Sequence, residues 1–374
     1  MHPSSLRSVE TVASGPSASG VSRPEGRLTY LTGAEWRAAQ AAHEARADRY
    51  LGPHLERRRK GEKHAVEDFL FEYYRFRPGH LRRWHPGAGV TLLDPDDDLH
   101  TTWRFYAPVP RHGDEPHRLD PTTGHAAEHA AEVSATLPIE CAGSREHSTD
   151  LPREARTPAV TSAVTVDVGA FLAAKRDLVT HIHTLLTATA ARPPTFGCFG
   201  LHEWAMVYRA ADDRRHPAPL RLGATGTDGV VDSMQLRCTH YDAFRFFMPE
   251  AVPRNEFAPT RATQVELDQP GCLHAGMDLY RFAAELMPAV DSGLVMDCFE
   301  HAMRARYLDM RASPYDLAHL GLAPIRIETT AGRAEYVAAQ RELAGAAASL
   351  RGRLIERCEA LLAHESGDTG PTSP

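Results

Sequence analysis

The hydrophobic and polar positions of the chain keep a helical period over most of its length. After Thr32, AEWRAAQAAHEARADRYL is Ala-rich and its large apolar residues return every three or four positions, which predicts a helix capped by Thr32 or Gly33. The pattern runs on through PHLERRRKGEKHAVEDFLFEYYRF, where Val66, Phe69, Leu70 and Tyr73 fall at i, i+3, i+4 and i+7 on one face. Pro78 and the Trp84-His85-Pro86-Gly87 turn end it. A further helix is predicted from Val166, with Asp167 as its N-cap, to a stop before Pro193-Pro194. Two more cover about residues 272–287 and 291–311, parted by Pro288, and a last one covers about 331–363. Residues 218–247 alternate better than they coil. PLRLG, a turn at Asp228-Gly229 and VVDSMQLRCTHYDAFRFF predict a hairpin followed by an extended or short helical piece.

The fold class is therefore mainly α: a helical globular domain with a small β-hairpin element. Composition divides the 374 residues further. Residues 1–27 are rich in Ser, Gly and Pro and are expected to be disordered. Residues 28–106 form a helical N-terminal part of the core, and 107–160, poor in large apolar residues, read as a disordered insertion or linker. Residues 161–363 form the main helical domain, and 364–374 a loose tail. The formal charge of −7 argues against a dedicated nucleic-acid binder and leaves room only for a local basic groove. There is no apolar run of signal-peptide length and no window of about 18 apolar residues, so no membrane span is expected. The 6 cysteines are scattered without a CxxC pair, which fits free thiols in a reducing cytoplasm.

Chemistry-bearing residues gather in a few stretches. In TFGCFGLHEWAMVYR, two glycines flank Cys198-Phe199 and lead to His202, Glu203 and Trp204. Glu203 beside apolar residues can carry a raised pKa and act as acid or base, with His202 to shuttle protons. Adjacent residues on a helix point about 100° apart, so the two converge only in a turn. The other reading is a helix N-terminus with Trp204 in the core. In GCLHAGMDLYRFAAELM, His274, Asp278, Arg281 and Glu285 form a polar stripe, and the next helix presents Asp297, Glu300, His301 and Arg304 on one side. Facing helices with such pairs suggest a metal site of His274, Asp278, Asp297 and Glu300, although the Glu-x-x-His order is missing and solvated faces explain both stripes as well. YLDMRASPYDL crowds Asp309, Arg311, Tyr315 and Asp316 into a short loop, where Arg311 can hold a phosphate or staple the loop to Asp309. THYDAFRFFMPEA interleaves His240, Tyr241 and Arg245 with Phe residues, as a base-stacking surface or as core. Arg82-Arg83 and the Arg57–Lys60 run are candidates for phosphate contact. No GxGxxG after a strand, GxxxxGK[ST], HExxH or GxSxG occurs.

EKHAVEDFLFEYYRFRPGHLRRWHPG, GCFGLHEWAMVYR, THYDAFRFF, QPGCLHAGMDLYRFA and YLDMRASPYDL together resemble a group of bacterial proteins identified as 3-methyladenine DNA glycosylase. The likeness covers about residues 28–105 and 195–360. The familiar alkyl-base glycosylases use a helix-hairpin-helix with a Gly-rich hairpin and a following Asp. This sequence lacks that hairpin, so no catalytic residue is carried over. The resemblance implies release of alkylated purines from duplex DNA without a cofactor. Glu203, His202 and Asp309 are the candidates for catalysis. Trp204, His240, Tyr241, Arg245, His274, Arg311 and Tyr315 are candidates for substrate binding, and Arg82 and Arg83 for phosphate contact. Two alternatives stay open. One is a helical oxidoreductase using iron or haem, with His202, His240 or His274 as ligand beside Asp278, Asp297 or Glu300. The other is a non-catalytic scaffold whose polar stripes bind a partner.

Overall fold

The structure, a computed structural model, describes residues 29–96, 100, 102–109, 162–210 and 218–364. The expected disorder of residues 1–27 and most of the expected insertion and tail lie outside these. The protein is mainly α with a small four-stranded sheet.

Strand β1 (Thr29–Leu31) leads into α1 (Gly33–Lys60). Thr32 is the cap: its hydroxyl accepts from the Glu35 N–H at 3.3 Å, while its own N–H donates to the Glu35 carboxylate at 2.8 Å. Trp36, His43, Ala47, Leu51 and His54 form the buried stripe of α1. The expected continuation past Lys60 fails at Gly61, whose φ of 70° closes the helix in the left-handed region. Buried Asp68 then organises the next turn. One of its oxygens takes His54 and Arg57, and the other accepts from the His64 N–H at 2.7 Å. Helix resumes only as α2 (Phe69–Tyr73). Val66 precedes it and packs in a different cluster from Leu70. Pro78, expected to stop a helix, instead opens α3 (Pro78–Arg82), where its missing N–H costs nothing.

The β element is not where the alternation placed it. Gly223–Ser233 is a helix, with Asp228-Gly229 in its interior and Thr227, Val230 and Val231 buried along it. The Asp228 side chain accepts from the Arg209 N–H at 2.8 Å instead of making a hairpin turn. The sheet is built from β1, β2 (Val90–Leu93), β3 (Tyr106–Pro108) and β4 (Ala163–Val166), in the order β1-β2-β4-β3. β1 runs parallel to β2, and β4 is antiparallel to both β2 and β3. β3 takes residues 107 and 108 out of the expected linker. The two sequence-defined parts of the core therefore share one sheet.

They also share one apolar core. Asp167 caps α4 (Val168–Ala190) through the Ala170 N–H, and α4 lies along α11 (Thr330–Ala363). The short helices between are α5 (Leu201–Ala205), α6 (Gly223–Ser233), α7 (Tyr241–Phe244) and α8 (Gln264–Leu267). α9 (Leu273–Glu285) and α10 (Ser292–Ala312) form an antiparallel pair at the centre. Tyr280 meets Phe299 edge-on, and Gly276 lets the His301 ring approach, since a Cβ there would come within 2.9 Å of Nε2. Asp309, expected in a loop, lies inside α10, which continues to Ala312.

His301 is buried, and burial, followed by the Arg304 and Arg351 charges, pushes its pKa down to about 4. The neutral ring is therefore the native form. As pH falls below the ordinary value near 6.5, the unfolded chain takes up a proton that the folded chain refuses, so stability falls with pH down to about 4. His301→Gln removes this group. The loss of unfolding free energy between pH 7.5 and pH 5, measured by urea titration, is expected to shrink by about 2 kcal/mol in the variant. An unchanged loss contradicts the assignment.

Candidate active site

The stretch Thr195–Gly200 is a tight corner. Phe199 and Gly200 are consecutive left-handed residues, with φ of 50° and 73°. Phe199 pays for this with strain of about 1 kcal/mol, a cost that tertiary packing must hold in place. At Gly200 any side chain is strained, and a Cβ would also press on Ala312 at 3.3 Å. The corner launches α5, a single turn on which His202 and Glu203 point to different sides. They are joined instead by α10, which presents Arg306 and Asp309 three residues apart, on one face.

The result is a buried chain of hydrogen bonds. His202 Nε2 lies 2.8 Å from Asp309 Oδ1. Arg306 Nη1 donates to Asp309 Oδ2 at 2.9 Å and to Glu203 Oε1 at 2.6 Å. On the other side of His202, Nδ1 is 3.5 Å from the Cys198 sulfur. His274 of α9 packs edge-on against His202, with ring centres 4.5 Å apart, and stacks on His240 at 5.3 Å. His240 in turn faces Asp278, whose carboxylate also takes Arg281 at 2.8 Å and the Tyr74 hydroxyl at 3.1 Å. Burial alone disfavours charge on all of these groups. At His202 the Asp309 carboxylate outweighs it and holds the imidazole pKa well above its ordinary value. At Asp309 the charges of His202 and Arg306 likewise overcome burial and keep the acid ionised. His274 has no such partner. Burial, then the neighbouring His202 charge, lowers its pKa and leaves it neutral.

Two cavities meet at His274. The larger, of about 570 Å³, exposes Glu203, His274 and Arg306 among the rings of Phe69, Tyr73, Phe246 and Tyr315. The Arg306 guanidinium lies over Phe69 at 4.0 Å, so α2 covers the ion network on that side. The smaller, of about 10 Å³, lies against Cys198, His202 and His274. Thiol, imidazole and carboxylate stand in the order of a cysteine nucleophile's triad. That cavity holds about one water at most, so no substrate reaches the sulfur from it. Of the two, the larger cavity has room for a substrate.

The structure brings together Glu203, His202, Asp309 and His274, and it places Tyr315 on the cavity lining. The other sequence candidates lie elsewhere. Trp204 is fully buried, donating its indole N–H to the Ala312 carbonyl at 2.9 Å, and is core, not a stacking platform. His240 supports Asp278 from behind His274. Tyr241 is half-buried with Arg261 over its ring, and Arg245 is paired with Asp242 at 3.0 Å. Arg311 staples the following loop through the Ala323 carbonyl and Glu335. Arg82 is spent on Glu44 and Asp48, and Arg83 lies over Trp103. The four-residue metal set is not assembled. Asp278 serves Arg281, while Asp297 and Glu300 hold Arg46 at 2.9 and 2.7 Å. Glu300 is about 13 Å along α10 from Asp309. The stripe on α9 is no solvated face, since His274 and Asp278 are buried. Sequence reading missed Arg306, whose signal was its i, i+3 spacing to Asp309, and the cavity rings Phe69 and Tyr73, while Phe246 comes from the aromatic stretch read as a stacking surface or as core. Comparisons with protein-family models, curated proteins and solved structures give no match.

Arg306 compensates two buried carboxylates, so Arg306→Met leaves Glu203 without a cation and Asp309 with His202 alone. Unfolding free energy is expected to drop by about 3–5 kcal/mol in a urea titration. A loss below about 1 kcal/mol, the size of an exposed pair, contradicts the network as described.

Proposed function

We propose that the protein is an N-glycosidase that releases an alkylated purine such as 3-methyladenine from DNA, as the sequence resemblance implies. One observation carries the reading. Glu203, held beside Arg306, opens onto a cavity walled by aromatic rings and large enough for a nucleotide. A purine alkylated on its ring carries positive charge and leaves as a neutral base, so the site need not supply an acid. The bond from the sugar carbon to the ring nitrogen breaks, and its electron pair goes to the base. The sugar then gains positive charge, which the Glu203 carboxylate stabilises across a water-poor cavity. Water adds to that carbon, and its proton passes to Glu203 or to the neutral ring of His274. The rings of Tyr73, Phe246 and Tyr315 offset part of the few kcal/mol needed to extrude a base.

Phosphate contacts fall to residues other than Arg82 and Arg83. A second groove, of about 500 Å³, is lined by Arg58, Lys63, Arg75 and Arg77, and shares Lys63, Asp68 and Glu72 with the aromatic cavity. Arg58, Arg75 and Arg77 are exposed and make no ion pair with any described residue.

Glu203→Gln keeps the shape of the site and removes its charge. Release of 3-methyladenine from alkylated duplex DNA, followed by chromatography, is expected to fall at least about 100-fold while the circular dichroism spectrum is kept. Activity within about tenfold of wild type removes Glu203 from the mechanism, and no release by the wild-type protein removes the reading. Replacing Arg58, Arg75 and Arg77 together by Gln is expected to lower the slope of log affinity against log salt by about 2–3 for duplex DNA. An unchanged slope places the phosphates elsewhere.

A further inference from the structure

We propose that His202, His274 and Asp309 bind one divalent first-row transition ion in the wall between the two cavities. Among the described residues, these donors form one set in which every ligand atom lies within 4.8 Å of the others. His202 Nε2 and Asp309 Oδ1 are 2.8 Å apart, and the ion takes the place of the proton that they share, which is released to solvent. Two donors at about 2.1 Å from one ion and at right angles to each other are about 3 Å apart, so the pair already has the spacing of neighbouring ligands. Two imidazoles and one carboxylate on one face are the donor set of such ions, with the remaining positions open.

Three further features favour an ion over a plain ion pair. The donors come from α5, α9 and α10, so core packing fixes their mutual position before any ion arrives. Their outer contacts are those of ligands held in orientation: Asp309 Oδ2 accepts from Arg306 at 2.9 Å, and His202 Nδ1 faces the Cys198 sulfur at 3.5 Å. The Arg306 charge is itself balanced by Glu203, so it does not stand alone against a cation. Above all, His274 is only 9% exposed, yet its ring makes no hydrogen bond with any described residue. Its ring nitrogens are not fully enclosed, so an ion entering from a cavity can meet them. The imidazole lines both cavities and closes the donor triangle. The open positions of the ion face the aromatic cavity, beside Glu203. There the ion can take a water or a substrate oxygen, whatever the substrate, so the site does not depend on the glycosidase reading.

The test uses the full-length protein, stripped with a chelator and dialysed. It is then titrated separately with Zn²⁺, Mn²⁺, and Fe²⁺ without oxygen, and bound metal is counted by mass spectrometry after gel filtration. One ion per chain is expected, with a rise in Tm. Co²⁺ in the same site is expected to show visible d–d bands shifted and strengthened relative to those of the aqueous ion. His274→Ala removes a ligand without touching the Arg306 network, and is expected to weaken binding at least about 100-fold and abolish those bands while the circular dichroism spectrum stays unchanged. Less than about a tenth of an ion per chain for every metal, or full binding in His274→Ala, overturns the site. A Co²⁺ spectrum identical to that of the free aqueous ion in the presence of the wild-type protein overturns it too.

Discussion

One guanidinium holds the centre of this protein together. Arg306 is buried between Glu203 and Asp309; it is the cation that Glu203 meets, and it shares Asp309 with His202. Coulomb attraction in a water-poor interior keeps Asp309 ionised and holds both carboxylates in fixed positions. That constraint ties α10 to the corner that launches α5. It also fixes His202, because Asp309 spends its second oxygen on that imidazole. Covered on one side by Phe69 and open on the other, the same group makes a fold element into a site.

The corner and the network explain each other. A phenylalanine with a φ of 50° followed by a glycine at 73° is a poor choice for a plain helix start. It is a sound choice where the following turn must bring His202 and Glu203 to the two ends of an Arg306–Asp309 pair. Strain at Phe199 is repaid by ion pairing on α10, and Tyr336 and Ala312 packed beside Gly200 leave no slack. Local irregularity is concentrated beside the buried ion network, at the corner that positions His202 and Glu203.

Much of the scaffold was legible in the sequence because helical period and caps are local. Thr32, Asp167 and the long helices after residue 272 follow from spacing alone. The sheet was not, since strands of three and four residues are too short to display a period of two. The alternation at 218–247 misled because Val230 and Val231 bury as well on a helix as on a strand, and Asp228 finds its partner in Arg209. Within the site, Glu203, His202, His274 and Asp309 stood out by residue type. Their assembly did not, because it depends on α9, α10 and a corner residues away in sequence meeting in space. Charge was the least readable property. Arg82, Arg245 and Arg311 look like free cations in sequence but have acidic or carbonyl partners, while Arg58, from the basic run read as a phosphate contact, and the unremarked Arg75 and Arg77 lack an ion-pair partner among the described residues.

The central claim is that the Arg306-held carboxylate of Glu203 faces a reacting sugar inside the aromatic cavity. A crystal structure of the protein with duplex DNA carrying a cationic pyrrolidine in place of one sugar measures this directly. The account predicts the extruded pyrrolidine in the cavity, its charged nitrogen within hydrogen-bond distance of Glu203 and Arg306 still bridging to Asp309. A pyrrolidine bound outside the cavity, or a cavity that stays empty while DNA lies on another face, contradicts it.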